Sequence, residues 1–172
     1  MSKFKLSTTM QVAVDVADKI IKKFFSIVPG VAKFLTSLGD AGKARGYIKT
    51  SPPFSRVRWF PKWEYIDFKN LTKDDQILLG EIERACKNHP FQGSNADCTK
   101  QALIYTQKEI DDNNYPVEIL MTIHDEIVSL SKEEFAETWK PILEDCMIRA
   151  AQLVIKTIPV VVDCKISDQW EK

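Results

Sequence analysis

The fold of this chain is legible first in Ile119-Leu120-Met121-Thr122-Ile123-His124-Asp125-Glu126-Ile127-Val128-Ser129-Leu130. Two runs rich in β-branched and apolar residues flank three consecutive ionisable side chains. Runs of that composition predict strands, and the short polar break between them predicts the turn of a β-hairpin. Two adjacent carboxylates are costly to bury unless a cation or strong donors meet them. The His124-Asp125-Glu126 triplet is therefore either a solvated turn or a place where something positive binds. Its composition alone leaves both open.

Around this hairpin the composition is that of an ordinary globular chain. At 172 residues one domain is expected, and 44% apolar and 10% aromatic content supplies a sizeable core. Charged residues make up 28%, which argues against extended disorder. No apolar run approaches the length of a membrane span and no signal-peptide pattern opens the chain, so a cytoplasmic protein with no membrane partner is expected. Cys86, Cys98, Cys146 and Cys164 form no Cys-x-x-Cys pair, which predicts reduced thiols rather than a zinc site or disulfides. The net charge is zero but unevenly spread. Residues 1–62 carry 12 Lys/Arg against 3 Asp/Glu, and residues 63–172 carry 12 against 21. A basic part beside an acidic part suits a polyanion on one side and cations on the other; it equally suits two surfaces that attract each other.

From Met10 onward, apolar residues recur at Ala13, Val16, Ala17, Ile20, Phe24, Ile27 and Val28, a helical period with one apolar face, and Ser7, Thr8 and Thr9 offer caps. Pro29-Gly30 interrupts it, and a second helix is expected through Val31, Phe34, Leu35 and Leu38 to Gly46. Residues 47–50 and 56–60 read as short strands around Ser51-Pro52-Pro53-Phe54-Ser55, with Arg56 and Arg58 on one face, either contacting phosphates or simply solvated. After an aromatic-rich loop at 61–70, Thr72 and Asp75 cap a helix that Asn88-His89-Pro90 is expected to end. Gln92-Gly93-Ser94 reads as a turn, 95–110 as a further helix and 111–116 as a polar turn before the hairpin. Ser131-Lys132-Glu133-Glu134 reads as a capping box for a helix to about 156, kinked at Pro141, and Val160 to Ile166 reads as a last strand. The expected class is α+β.

Arg84, Asn88 and Gln92 are spaced by four, so a helix that held through Asn88 would put Arg84 and Asn88 on one face, with Gln92 close by. Such donors can reach minor-groove acceptors, which are nearly sequence-independent. Alone, the same residues are more simply an ordinary polar helix face. What distinguishes them is the longer pattern. Arg84-Ala85-Cys86-Lys87-Asn88-His89-Pro90-Phe91-Gln92-Gly93-Ser94-Asn95-Ala96-Asp97 resembles the Arg-x-x-x-Asn-x-Pro-x-Gln-Gly-x-x-Ala-Asp stretch of family A DNA polymerases, the DNA polymerase I type. Ile123-His124-Asp125-Glu126-Ile127-Val128 looks like motif C of the same family, with the expected order and spacing. Asp168-Gln169-Trp170 is similar to the family's C-terminus. Phe25-x-x-Val28-Pro29-Gly30 and Ala44-Arg45-Gly46-Tyr47-Ile48-Lys49-Thr50 are similar to its fingers segment after the nucleotide-binding helix.

The resemblance implies a partial polymerase palm over 63–172, with an antiparallel sheet carrying the motif C hairpin packed on helices, and a fingers-derived helical segment with a small hairpin over 1–62. It implies that Asp125 is a catalytic carboxylate and metal ligand, Glu126 its acidic neighbour, and His124 a contact to the primer end. Arg84, Asn88 and Gln92 would line the primer–template minor groove. The implied cofactor is Mg2+, in a two-metal site completed by groups this chain lacks. The implied partners are primer–template DNA, a dNTP and a second polypeptide bringing motif A and the nucleotide-binding helix, because the chain begins just after the place of that helix. The isolated chain is then expected to be inactive, and a phage-like split gene would suit it. Where the family has Gly-Arg soon after the Thr matched by Thr50, this chain has Ser51-Pro52-Pro53-Phe54, which leaves the role of Arg56 open. A non-catalytic DNA-binding or polymerase-associated remnant is the alternative. A metal nuclease built on His124, Asp125 and Glu126 is the remaining one.

Overall fold

A computed structural model describes residues 2–170. Contacts divide the chain into two units: Met1–Tyr47 with Phe60–Lys87, and Ile48–Trp59 with Asn88–Lys172. The class is α+β, as expected from the alternation of helical and strand periods.

The first unit opens with helices α1 (Lys3–Met10), α2 (Val14–Ile27) and α3 (Pro29–Arg45). Ser7, Thr8 and Thr9 do not cap α2. They lie inside α1, where Thr8 and Thr9 hydroxyls donate back to the Phe4 and Lys5 carbonyls, and Ser2 is the cap, accepting from the Lys5 N–H. Pro29 starts α3 at its first position, where a missing N–H costs nothing. Of the α2 face read from the sequence, only Ala17 is buried; Ile20, Phe24 and Ile27 stay exposed, Ile27 at 71%. α3 packs closely enough that a Cβ on Gly42 would sit 2.0 Å from Cys86 Sγ. Lys43 bridges Asp40 and Glu83, which raises the affinity of its ammonium for its proton. A 3-10 turn (Pro61–Tyr65) follows where the aromatic-rich stretch predicts a loop, and Trp63 donates from its indole to the Lys43 carbonyl at 2.6 Å.

Helix α4 runs from Lys73 to Asn113 without a break. Its start is the expected reciprocal cap: the Asp75 N–H donates to Thr72 Oγ1 at 3.1 Å and the Thr72 N–H to Asp75 Oδ2 at 2.9 Å. The expected stop at Asn88-His89-Pro90 and the turn at Gln92-Gly93-Ser94 are not there. Pro90 removes an N–H that a helix interior normally uses, at a cost of about 3 kcal/mol. Within the second unit that cost is offset by tertiary bonds at the same turn. The Ser94 hydroxyl donates to the Pro90 carbonyl and accepts from the Ser51 N–H, and Arg56 Nη2 donates to the Gly93 carbonyl at 3.2 Å.

The second unit carries the strands. β1 (Tyr47–Lys49) and β2 (Val57–Trp59) pair as a small ribbon. β3 (Val117–Ile123) and β4 (Glu126–Ser131) form the expected antiparallel hairpin, with an irregularity in register between Ile119 and Met121. Helix α5 (Glu133–Ala151) follows directly. Ser131 makes no capping box, because it is the last residue of β4 and the cap position falls on Lys132. Glu133 and Glu134 still place negative charge in the first turn, where the helix dipole favours it. Ile110, Val117, Trp139 and Leu143 form the core, so α4, the hairpin and α5 meet as expected.

Residues 160–166 are not a strand. Their exposure alternates as a strand's would, with Val160, Val162 and Cys164 partly covered and Val161, Asp163 and Lys165 open. Cys164 packs against the core. A strand is defined by its ladder, however, and the sheet of β3 and β4 holds only those two. The alternation was legible; the absence of a pairing edge was not.

Candidate nucleic-acid interface

The β3–β4 turn consists of His124 and Asp125 alone, since Ile123 pairs with Glu126. Two-residue hairpin loops require backbone twist that matches the strands, which brings positive φ into the turn. Here His124 takes it, at φ 56°. Histidine tolerates this region better than most residues, but a non-glycine there still costs about 1–2 kcal/mol. The result lifts Asp125 to the tip, and His124, Asp125 and Glu126 are all exposed.

Asn88 and Gln92 are brought together on α4: Asn88 Nδ2 donates to Gln92 Oε1 at 2.8 Å, and both are exposed. Arg84 is exposed on the same helix and belongs to the first unit. Behind Gln92 the helix is braced by the 50–56 turn. Arg56 Nε donates to Asp97 Oδ1 at 2.8 Å, with the Asp97 side chain only 7% exposed. The Arg56 N–H donates to Thr50 Oγ1 at 2.9 Å, and the Thr50 N–H to the Arg56 carbonyl at 3.0 Å. His89, buried beside this brace, is held below its ordinary pKa by desolvation, with the Arg56 and Arg58 charges adding to the effect.

Arg56 is thus tied to Asp97 and the Gly93 carbonyl through Nε and Nη2, while 45% of its side chain stays exposed. Asp97 is a buried carboxylate in mid-helix with a guanidinium on it. The one available signal was Gly93, since an isolated glycine in a helical pattern often marks a close approach. The backbone also bears on the missing Gly-Arg: Ser55, just before Arg56, adopts φ 50°, the conformation glycine takes most easily.

Gly93 is needed because a Cβ there would lie 2.6 Å from Thr50 Cγ2 and 3.1 Å from His89 Cε1. Alanine gains about 1 kcal/mol in helix propensity and loses about 1–3 kcal/mol by overpacking against the buried Thr50. Gly93→Ala is therefore expected to destabilise the chain, by urea unfolding, and a rise in the midpoint would contradict the close approach.

The hairpin tip is the natural place to ask about a cation. Magnesium takes oxygen donors and is commonly held by one or two carboxylates together with substrate phosphates. The Asp125 and Glu126 carboxylates make no side-chain hydrogen bond or ion pair among the described residues. No group of three or more His, Cys, Asp or Glu side chains able to hold a metal ion occurs among the described residues. The donor set fits an open site completed by substrate and other groups, not a closed protein cage. Among the described residues no helix is long and apolar enough to cross a membrane.

A sequence model described as DNA polymerase family A matches residues 1–172. DNA polymerase I of Caldicellulosiruptor bescii is 27% identical over 170 residues, 99% of this chain and 18% of that protein. DNA polymerase I of Aquifex aeolicus is 34% identical over 128 residues, 69% of this chain and 22% of that protein. A solved structure described as the POL domain of Pol1 from M. smegmatis, in complex with DNA primer-template and dNTP, has a TM-score of 0.74 at 26% identity, over 87% of this chain and 24% of that one. The chain spans about a fifth of the length of these two DNA polymerases I.

Proposed function

Because this chain belongs to DNA polymerase family A, we propose that it supplies part of the primer–template surface and one catalytic carboxylate of a template-directed DNA polymerase. Residues 1–62 are its fingers-derived segment and 63–172 its palm segment. Asp125, with Glu126 beside it, would hold magnesium, and His124 would contact the primer end. Magnesium bound there would neutralise charge developing at the oxygens of nucleotidyl transfer. Arg84, Asn88 and Gln92 would contact the minor groove of primer–template DNA, beside a dNTP. A cytoplasmic setting suits the four free cysteines. The observation that carries the proposal is the exposed two-residue turn, in which His124 accepts a disfavoured backbone so that Asp125 stands at the tip.

The remaining metal ligands and nucleotide-binding groups would come from further polymerase segments outside residues 1–172, which act as the partner of this chain. The open apolar face of α2, with Ile20, Phe24 and Ile27 exposed, supports such a partner, since a contiguous apolar face in water usually marks an interface. The purified chain is accordingly expected not to extend primers alone. Adding a polypeptide that carries motif A and the nucleotide-binding helix should produce extension. Extension by the chain alone, lost in Asp125→Ala, would overturn the requirement; contaminating polymerase would survive that substitution. Gln92→Ala and Arg84→Ala should each weaken primer–template binding, by about 1–3 kcal/mol for a bond involving charge and nearer the lower end for Gln92.

A non-catalytic DNA-binding or polymerase-associated remnant is the second reading. It predicts Gln92-dependent DNA binding with no complementing polypeptide able to restore extension.

A further inference from the structure

The brace behind Gln92 has no assigned role, yet it holds the buried Asp97 and the carbonyl next to Gln92 with a single side chain. We propose that Arg56 is a positioning residue for the Asn88–Gln92 edge, acting through the Asp97 carboxylate and the Gly93 carbonyl. The proposal rests on the reading of that edge as a DNA contact, but its geometry can be tested apart from DNA.

Three observations converge. First, α4 carries two of its three weakest helix formers, Pro90 and Gly93, on either side of Gln92, so the backbone that aims this side chain has little intrinsic preference for helix. Second, Arg56 grips the C-terminal end of that stretch and the turn after it. Nε donates to Asp97 Oδ1 at 2.8 Å and Nη2 donates to the Gly93 carbonyl at 3.2 Å. A guanidinium does this because its donors form a rigid planar fork; an ammonium has the charge but not the fork. Third, Arg56 is itself held, with its N–H on Thr50 Oγ1 at 2.9 Å and the neighbouring Ser51 N–H on Ser94 Oγ at 2.8 Å. Asp97 Oδ2 has no hydrogen-bond partner among the described residues, so Arg56 is the cation that compensates this buried carboxylate. The 50–56 turn thereby clamps the turn of helix from which Gln92 projects, while Asn88 holds the Gln92 amide from the outer side.

The test uses the full chain and three variants, Arg56→Lys, Asp97→Asn and Gln92→Ala. Arg56→Ala is left aside because an unpaired buried carboxylate can unfold the chain. In Arg56→Lys, with thermal unfolding still cooperative, amide hydrogen exchange at 93–97 should accelerate at least tenfold and the Gln92 side-chain amide resonances should move. Asp97→Asn should do the same with its own melting point monitored. Exchange and resonances unchanged in both folded variants would overturn the proposal. With a primer–template hairpin oligonucleotide, Arg56→Lys should weaken binding by a factor like that of Gln92→Ala, and the double variant should be no weaker than Gln92→Ala. Fully additive losses would mean Arg56 acts on DNA by another route, which also overturns it. If Gln92→Ala leaves binding unchanged, the assignment of the edge to DNA fails, and the exchange and resonance measurements alone decide the positioning.

Discussion

Asp125→Asn is expected to lower nucleotide incorporation by the assembled polymerase on the order of a hundredfold or more, with primer–template affinity little changed. Asparagine keeps the size of the side chain and its capacity to accept hydrogen bonds, and removes only the charge. A divalent cation needs that charge, whereas the fold does not: Asp125 is exposed at the turn and makes no side-chain bond among the described residues. The loss should therefore appear in turnover and not in melting temperature. Gln92→Ala should show the opposite split, with weakened DNA binding and turnover at saturating DNA largely kept. Single-turnover incorporation and DNA affinity, measured separately on both variants, decide the matter. Full turnover in Asp125→Asn together with its loss in Gln92→Ala would reverse the two assignments.

Trp139→Ala carries the second large effect, and it concerns stability. Trp139 is 4% exposed and lies in the core with Ile110, Val117 and Leu143. Tyr115 meets its ring edge-on with centroids 6.1 Å apart, and its indole donates to Ser129 Oγ on β4 at 2.9 Å. Removing a buried Trp typically costs about 3–5 kcal/mol. A domain of this size has only about 5–15 kcal/mol in total, so the variant should unfold at much lower urea concentration and populate the unfolded state at physiological temperature. Trp139→Phe separates the two parts of the effect. It keeps most of the apolar contact and loses the hydrogen bond to Ser129, for which about 1 kcal/mol is expected. A Trp139→Ala variant with an unchanged urea midpoint would mean that this cluster is not what holds the hairpin to α5.

The hairpin needed no tertiary information. Strand-forming runs on both sides of a polar triplet specify it locally. The Thr72–Asp75 cap, the ribbon around Pro52-Pro53 and the existence of α2, α3 and α5 were legible for the same reason, since each rests on residues a few positions apart. The proposed site residues were picked out as motifs, Arg84 to Asp97 and His124 to Glu126, by their resemblance to the family.

Long-range contacts decided the rest. Pro90 and Gly93 argue locally for a helix end, and α4 continues through them because Ser51, Arg56 and Thr50 bond to or pack against that turn from 40 or so residues away in sequence. No local pattern pairs Arg56 with Asp97, so neither side chain's role could be read from its neighbours. The segment 160–166 has a strand's alternation, yet becomes a strand only if an edge offers hydrogen bonds, and that depends on what else lies beside it. Likewise the face of α2 was visible in its period, but whether a face is buried depends on its partner. Local propensity acts over a few residues, whereas burial, ion pairing and ladder formation are settled by which distant segments meet, and only the folded chain brings those together.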